Sequence, residues 1–215
     1  NYFRTNFEEV KDYLSQFTEW IPADYRIRSY INGKLYTFPI NRNTLNEFFG
    51  VDLKTEEEAE VFLNSKRIKI KNPKNAEEQV LSLAGQEIYE AFFKNYTIKQ
   101  WGIDPKKLNA SVTARIPIRT NTDDRYFNDS FQAMPKDGYT KLFERLLKGI
   151  EVRLNISFRE VKNKIMYKEL IYTGPIDEFF NYKFGRLPYR SLKFKFETYN
   201  KEFYQIPNFK HKSFD

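Results

Sequence analysis

Residues 26–39 read RIRSYINGKLYTFP, two short runs of aromatic and branched residues around Asn32-Gly33. That dipeptide supplies the positive φ angles of a type I′ turn, whose twist matches that of two paired strands. The stretch predicts an antiparallel hairpin and excludes an all-helical fold. Helical signals surround it. Asn6 with Glu9 predicts a capped helix bearing Phe7, Val10, Tyr13, Leu14 and Phe17 on one face, and Leu45, Phe48 and Phe49 predict a second that stops at Gly50. Thr55 with Glu58 caps a third, running to about Leu63. Asn75 with Glu78 opens the longest, with Val80, Leu83, Ile88, Ala91 and Phe92 on its buried stripe and an end near Tyr96.

Asp104-Pro105 has the form of a cap followed by proline in the first turn, and VTARIPIR turns extended ahead of Pro117. A further amphipathic helix is expected from Tyr139 to Leu147. The last third changes character: Val152, Leu154, Ile156 and Phe158 alternate with polar residues as in a half-buried strand, and so do Leu192, Phe194 and Phe196. Tyr172 to Asp177, YTGPID, reads as a strand end that hands over to a helix. The whole is an α+β chain.

Composition narrows the function. With 36 Lys and Arg against 29 Asp and Glu, the 215 residues carry a formal charge of +7, which suits an anionic partner. The basic run KRIKIKNPK reads as a solvated loop or an anion-binding face. There is no cysteine and a single histidine, His211, which argues against disulfides, a thiolate nucleophile or a His-based zinc site and favours a reducing, cytoplasmic setting. No apolar run reaches membrane-spanning length. The opening NYFRTN, without an initiator methionine, reads as the interior of a longer protein. No phosphate-binding or hydrolase motif occurs either: G-x-G-x-x-G, the P-loop, G-x-S-x-G and H-E-x-x-H are all missing.

Aromatic residues are abundant, 21 Phe and 15 Tyr, and they concentrate in FFKNYTIKQWG. Phe92 and Tyr96 are four apart and share a face on a regular helix, and Trp101 can fold back toward them. Taken alone, the stripe is either core packing or a platform for a flat heterocycle. Lys94, Asn95, Thr97, Lys99 and Gln100 interleave it with more polar groups than a core tolerates. Arg115 and Arg119, four apart on an extended stretch, point to one side and fit phosphate oxygens, or are solvated surface. Tyr126 either adds a phenol to the same phosphates or packs in a strand.

The combination of YTIKQWG, RIPIR, YFND, PKDGYT and YTGPID, with FPINRNTLNEFFG upstream, resembles the bacterial UDP-galactopyranose mutase family. The resemblance implies an isomerase (an intramolecular transferase) that interconverts UDP-galactopyranose and UDP-galactofuranose with reduced FAD, for cell surface polysaccharide biosynthesis. It implies that Phe92 and Tyr96 stack on uracil, with Thr97 and Trp101 beside them. Arg115 is then the catalytic arginine of a mobile loop that closes on the diphosphate, and Tyr126 a phosphate contact. Thr173, Gly174 and Pro175 would face the cofactor.

The implied fold is a fragment of an α/β flavoprotein: a helical bundle plus a twisted antiparallel sheet, with partial Rossmann-type elements. Its expected divisions are 1–42, helix and hairpin joining the sheet region; 43–110, the helical substrate-binding bundle; and 111–215, sheet with a partial return into the flavin domain. The family's N-terminal dinucleotide fingerprint is missing, and Asn1 stands where the family often has a histidine. This chain alone is therefore expected to bind FAD poorly and to turn over little substrate. The partners implied are UDP-galactose and UDP-galactofuranose, with a homodimer of the intact protein. The alternative is a non-catalytic UDP-sugar-binding module. Nucleic-acid binding ranks last, and no membrane association is expected.

Overall fold

A computed structural model describes residues 2–189 together with 191, 193, 194, 196, 198 and 200. Its strands and α-helices, in chain order, are β1 (Phe3–Thr5), α1 (Glu8–Ser15), β2 (Trp20–Pro22), β3 (Ile27–Ile31), β4 (Lys34–Phe38), α2 (Arg42–Phe49), α3 (Glu56–Lys66), α4 (Ala76–Ile88), α5 (Asn95–Trp101), α6 (Ser111–Ala114), β5 (Phe131–Pro135), α7 (Gly138–Leu146), α8 (Phe158–Val161) and α9 (Ile176–Phe179). A π-helical turn, Tyr89–Lys94, joins α4 to α5, and a 3₁₀ turn, Pro105–Lys107, precedes α6.

The hairpin forms as the Asn-Gly pair requires. Asn32 and Gly33 take φ of 48° and 86°, and the register runs from Ile27 opposite Phe38 to Ile31 opposite Lys34. Ile27, Ile31 and Tyr36 face the main core, where Ile40, Leu45, Leu63, Val80, Ile88 and Phe93 are fully buried. A second layer is the antiparallel sheet β1-β5-β2. Its apolar face is aromatic: Phe3 stacks on Trp20 at 4.9 Å, and Phe131 meets both edge-on. The chain is α+β. Among the described residues every strand pair is antiparallel, and the expected Rossmann-type elements do not occur among them.

Capping boxes on Asn41/Thr44 and Thr55/Glu58 start α2 and α3, and Gly50, left-handed at φ 67°, ends α2. The helix α7 falls where expected. The run after α3 behaves as a loop, but its first two residues turn inward: Ile68 N–H donates to Leu81 O at 3.0 Å and Arg67 Nε to Leu83 O at 2.8 Å. These carbonyls lie in the turn before a kink at Gly85, which has φ 85° and ψ −179° within α4.

Several expectations are corrected. Asn6 does not cap α1. Pairing of β1 with β5 draws its side chain to the start of β5, where Oδ1 accepts from Ser130 N–H at 2.8 Å, and Thr5 Oγ1 takes the Phe7 N–H instead. The apolar stripe of α1 is largely uncovered, with Phe7, Val10 and Tyr13 exposed. The expected strand at 152–158 is irregular. Asn155 is left-handed at φ 58°, which interrupts an extended run, and Phe158 opens α8 behind a Ser157 cap. Likewise no strand precedes the YTGPID turn, although α9 does follow it. The second expected strand, over Leu192, Phe194 and Phe196, runs through residues outside the described set, and so do Asn1 and His211.

At Gly85 the end of α3 lies close against α4. A Cβ there would lie 2.2 Å from Lys66 O, on a backbone conformation that L-residues avoid. Gly85→Ala is therefore expected to cost about 3 kcal/mol of stability, read as a lowered midpoint in urea unfolding with an unchanged slope.

Candidate functional site

The kink and the π-helical turn together decide which rings reach the surface. In a π turn the hydrogen bonds run from i to i+5, so the angular phase of the helix shifts. Phe92 and Tyr96 are four apart across that shift and do not share a face. Phe92 is buried in the core, stacked on Phe38 with centroids 6.3 Å apart and edge-on to Phe48 and Tyr36 at 5.2 and 5.8 Å. Tyr96 is 47% exposed. The expected convergence of three rings is thus corrected to two, Tyr96 and Trp101, with Phe92 packed in the core.

The helix also runs past Tyr96. It continues as α5 to Trp101 and closes on Gly102, left-handed at φ 64°, whose N–H bonds Ile98 O. One face of α5 presents Tyr96, Thr97, Gln100 and Trp101. Opposite stand Val112, Arg115 and Ile116, and the two walls enclose a cavity of about 190 Å³. Thr113, buried in α6, donates its hydroxyl to Ala76 O at 2.9 Å and ties this second wall to the start of α4.

Arg115 lies just beyond α6 in helical conformation, not on an extended stretch. Its Nε donates to Val112 O at 3.3 Å, and among the described residues no carboxylate pairs with it. It also borders a second cavity of about 430 Å³, lined by Arg4, Asn6, Pro117, Tyr126, Asn128 and Asp129 among others. Arg115 therefore borders both spaces. Tyr126 is half-buried against Tyr25 and Phe127. Burial raises its phenol above the ordinary value, with the charge of Arg115 pulling the other way, so it remains a hydrogen-bond donor at neutral pH.

Arg119 does not join Arg115. Its guanidinium donates to Asp123 O at 3.0 Å, to Arg125 O at 2.6 Å and to the Asn128 side chain, while its backbone N–H bonds Ile40 O. It holds the 119–128 segment in shape, which carries Tyr126 into the cleft. Within that segment the Arg125 guanidinium holds the Asp123 carboxyl well below the usual carboxylate range, at about 2. Burial lowers the Arg119 pKa, opposed by Asp123.

Thr173, Gly174 and Pro175 line neither cavity. They are exposed, and a Cβ on Gly174 would meet the Tyr172 hydroxyl, the far end of a side chain, at 2.4 Å. The turn leads into α9, a helix of four residues. No cluster among the described residues has metal-ligand spacing. Sequence reasoning missed Arg4, Asn6, Val112, Asn128 and Asp129. YFND did single out the stretch of the last two, but Arg4 and Asn6 carry no local signal.

The two rings and the unpaired Arg115 stand at two neighbouring cavities, surfaces of the kind that can take an aromatic and an anionic group. Comparison with known proteins shows the family. Residues 91–211 match the model of the UDP-galactopyranose mutase family, and the chain belongs to that family. It is 40% identical over 203 residues to a probable UDP-galactopyranose mutase of Klebsiella pneumoniae, covering 94% of this chain and 53% of that protein. It is 34% identical over 200 residues to a dTDP-fucopyranose mutase of Escherichia coli (90% and 53%), and 28% identical over 218 residues to the UDP-galactopyranose mutase of Mycoplasma genitalium (94% and 54%). The chain spans about half the length of the curated relatives it matches.

Because the folded Asp123 binds its proton less readily than an unfolded aspartate, the stability it contributes is complete above about pH 4. It is lost as pH falls toward 2. Asp123→Asn is expected to lower stability by about 1 kcal/mol at pH 7 and to flatten the acid limb of the stability curve between pH 4 and 2, measured by urea unfolding across that range.

Proposed function

We propose that this chain carries the nucleotide-sugar cleft of a UDP-galactopyranose mutase, an isomerase that interconverts UDP-galactopyranose and UDP-galactofuranose. The observation that carries this reading is Arg115, which alone of the cations among the described residues borders both the pocket walled by Tyr96 and Trp101 and the larger polar cavity. A pyrimidine fits between the two rings, where the Gln100 and Thr97 side chains stand beside it. Its diphosphate then passes Arg115, which neutralises charge through forked N–H groups, and Tyr126, which donates its phenolic proton. Phe92 acts from beneath by fixing the phase of α5.

Family membership supports a mutase, and the name of the E. coli relative pairs a mutase with a thymidine diphosphate sugar. UDP and dTDP share the pyrimidine and the diphosphate, the two parts the cleft is built to hold. Reduced FAD is the cofactor of the proposed activity of the whole protein, which would act as a homodimer in the cytoplasm and serve cell surface polysaccharide synthesis. This chain spans about half the length of the relatives it matches. The contribution argued for this chain is therefore binding, orientation and charge neutralisation of the nucleotide sugar.

Two tryptophans are present, so Trp20→Phe leaves Trp101 as the sole reporter. Titration of that variant with UDP is expected to quench its fluorescence, and Arg115→Ala in the same background to raise the apparent Kd about tenfold. Absence of any quench, or a Kd indifferent to Arg115, would defeat the reading.

A further inference from the structure

Arg115 stands immediately after α6, a helix of four residues whose N-cap, Ala110, supplies no side-chain hydrogen bond. A helix this short is not held by its own bonds, so contacts from elsewhere in the chain decide where it sits. They come from the start of α4. Ala76 N–H donates to Leu108 O at 3.0 Å, and Asn75 pairs with Asn109 as an isolated antiparallel bridge. From within α6, Thr113 is 3% exposed and donates its hydroxyl to Ala76 O at 2.9 Å, whereas Ala110 O of its own turn is farther away at 3.4 Å. On the other side of Arg115, Ile116 is buried in the main core. Arg115 is thus an exposed residue carried between two buried ones.

The guanidinium has no acidic partner among the described residues, and its Nε bond to Val112 O at 3.3 Å stays within the same short segment. Its place between the two cavities is therefore set by the backbone of α6. The Thr113 hydroxyl ties that backbone to another helix. Packing does not require a hydroxyl there, since valine has nearly the same shape, and burying one costs free energy unless it is bonded. A carbonyl oxygen has two lone pairs, so Ala76 O can serve α4 and Thr113 together. Removing the hydroxyl then loosens α6 and leaves α4 its own hydrogen bonds.

We propose that Thr113 is a positioning residue: its hydroxyl, bonded to Ala76 O, holds Arg115 where the guanidinium meets the anionic part of the ligand. This rests on the nucleotide-sugar reading of the cleft and deepens it.

The test is a double-mutant cycle in the affinity for UDP, read by Trp101 fluorescence in the Trp20→Phe background. Thr113→Val is expected to raise the Kd about fivefold when Arg115 is present, and less than about twofold when Arg115 is already alanine. Thr113→Ser restores the hydroxyl and is expected to bind within about twofold of the parent. Thr113→Ala runs the same cycle if the valine variant fails to fold. A Thr113→Val protein with a lower urea midpoint but an unchanged Kd would show a structural role only and overturn the proposal. Equal weakening with and without Arg115 would overturn it too, because the hydroxyl would then act by another route. Both results leave the cleft reading intact so long as Arg115→Ala alone weakens UDP. A parent protein that binds no UDP, or whose Kd ignores Arg115, removes the cleft reading and this inference with it.

Discussion

The cleft depends on a hydrogen-bonded splice between two segments that are about 80 residues apart in sequence. Asn41 is completely buried; its side chain accepts from Thr44 N–H at 3.0 Å and donates to Asp123 O at 3.2 Å. On either side, Arg119 N–H bonds Ile40 O and Arg42 N–H bonds Asn121 O, both at 2.9 Å. The Arg119 guanidinium closes the loop from inside. Buried polar groups of this kind are costly to leave unpaired, so the splice is cooperative: each partner removed strands the other. Its consequence is positional. The start of α2, which belongs to the core, and the strap that bears Tyr126 are set against each other, and the second cavity forms between that strap and β1.

A second constraint acts along one helix. Without the π-helical turn, Tyr89, Phe92, Phe93 and Tyr96 would follow an ordinary α-helical phase, and the choice between core and cleft would fall differently. The extra residue per turn lets Phe92 and Phe93 fill the core while Tyr96 turns outward. The kink at Gly85 contributes to the same end by allowing α3 to approach, with Arg67 and Ile68 engaging carbonyls of the turn before it. Thus two irregularities within 76–101 separate the packing rings from the exposed ones.

Charge is distributed by the same logic. A formal +7 suggested an anionic ligand, yet much of that charge is engaged locally: Arg67 with Glu60, Arg125 with Asp123, Arg4 with Asp129, Arg119 with backbone carbonyls. Exposed pairs of this sort contribute little to stability. What matters for binding is a cation without an acidic partner beside a cavity, and Arg115 has that position.

Much of the local structure was legible in the sequence because it is decided by residues within a few positions of one another. The Asn32-Gly33 hairpin, the Thr55/Glu58 box, the Gly50 stop and the Asp104-Pro105 turn all follow from steric rules and capping chemistry that act at short range. Ring and cation spacing and family resemblance also singled out Tyr96, Trp101, Arg115 and Tyr126, and the fold places these four at the two cavities. Tertiary packing decided what lies beyond that range: that Phe92 belongs to the core, that Arg119 turns inward as Arg115 turns out, that Asn6 serves β5 instead of α1, and that Arg4 reaches the cleft at all. Each of these depends on which distant segment supplies the hydrogen-bond or packing partner. Short-range pattern cannot encode that choice, because burial and polar satisfaction are properties of the assembled chain.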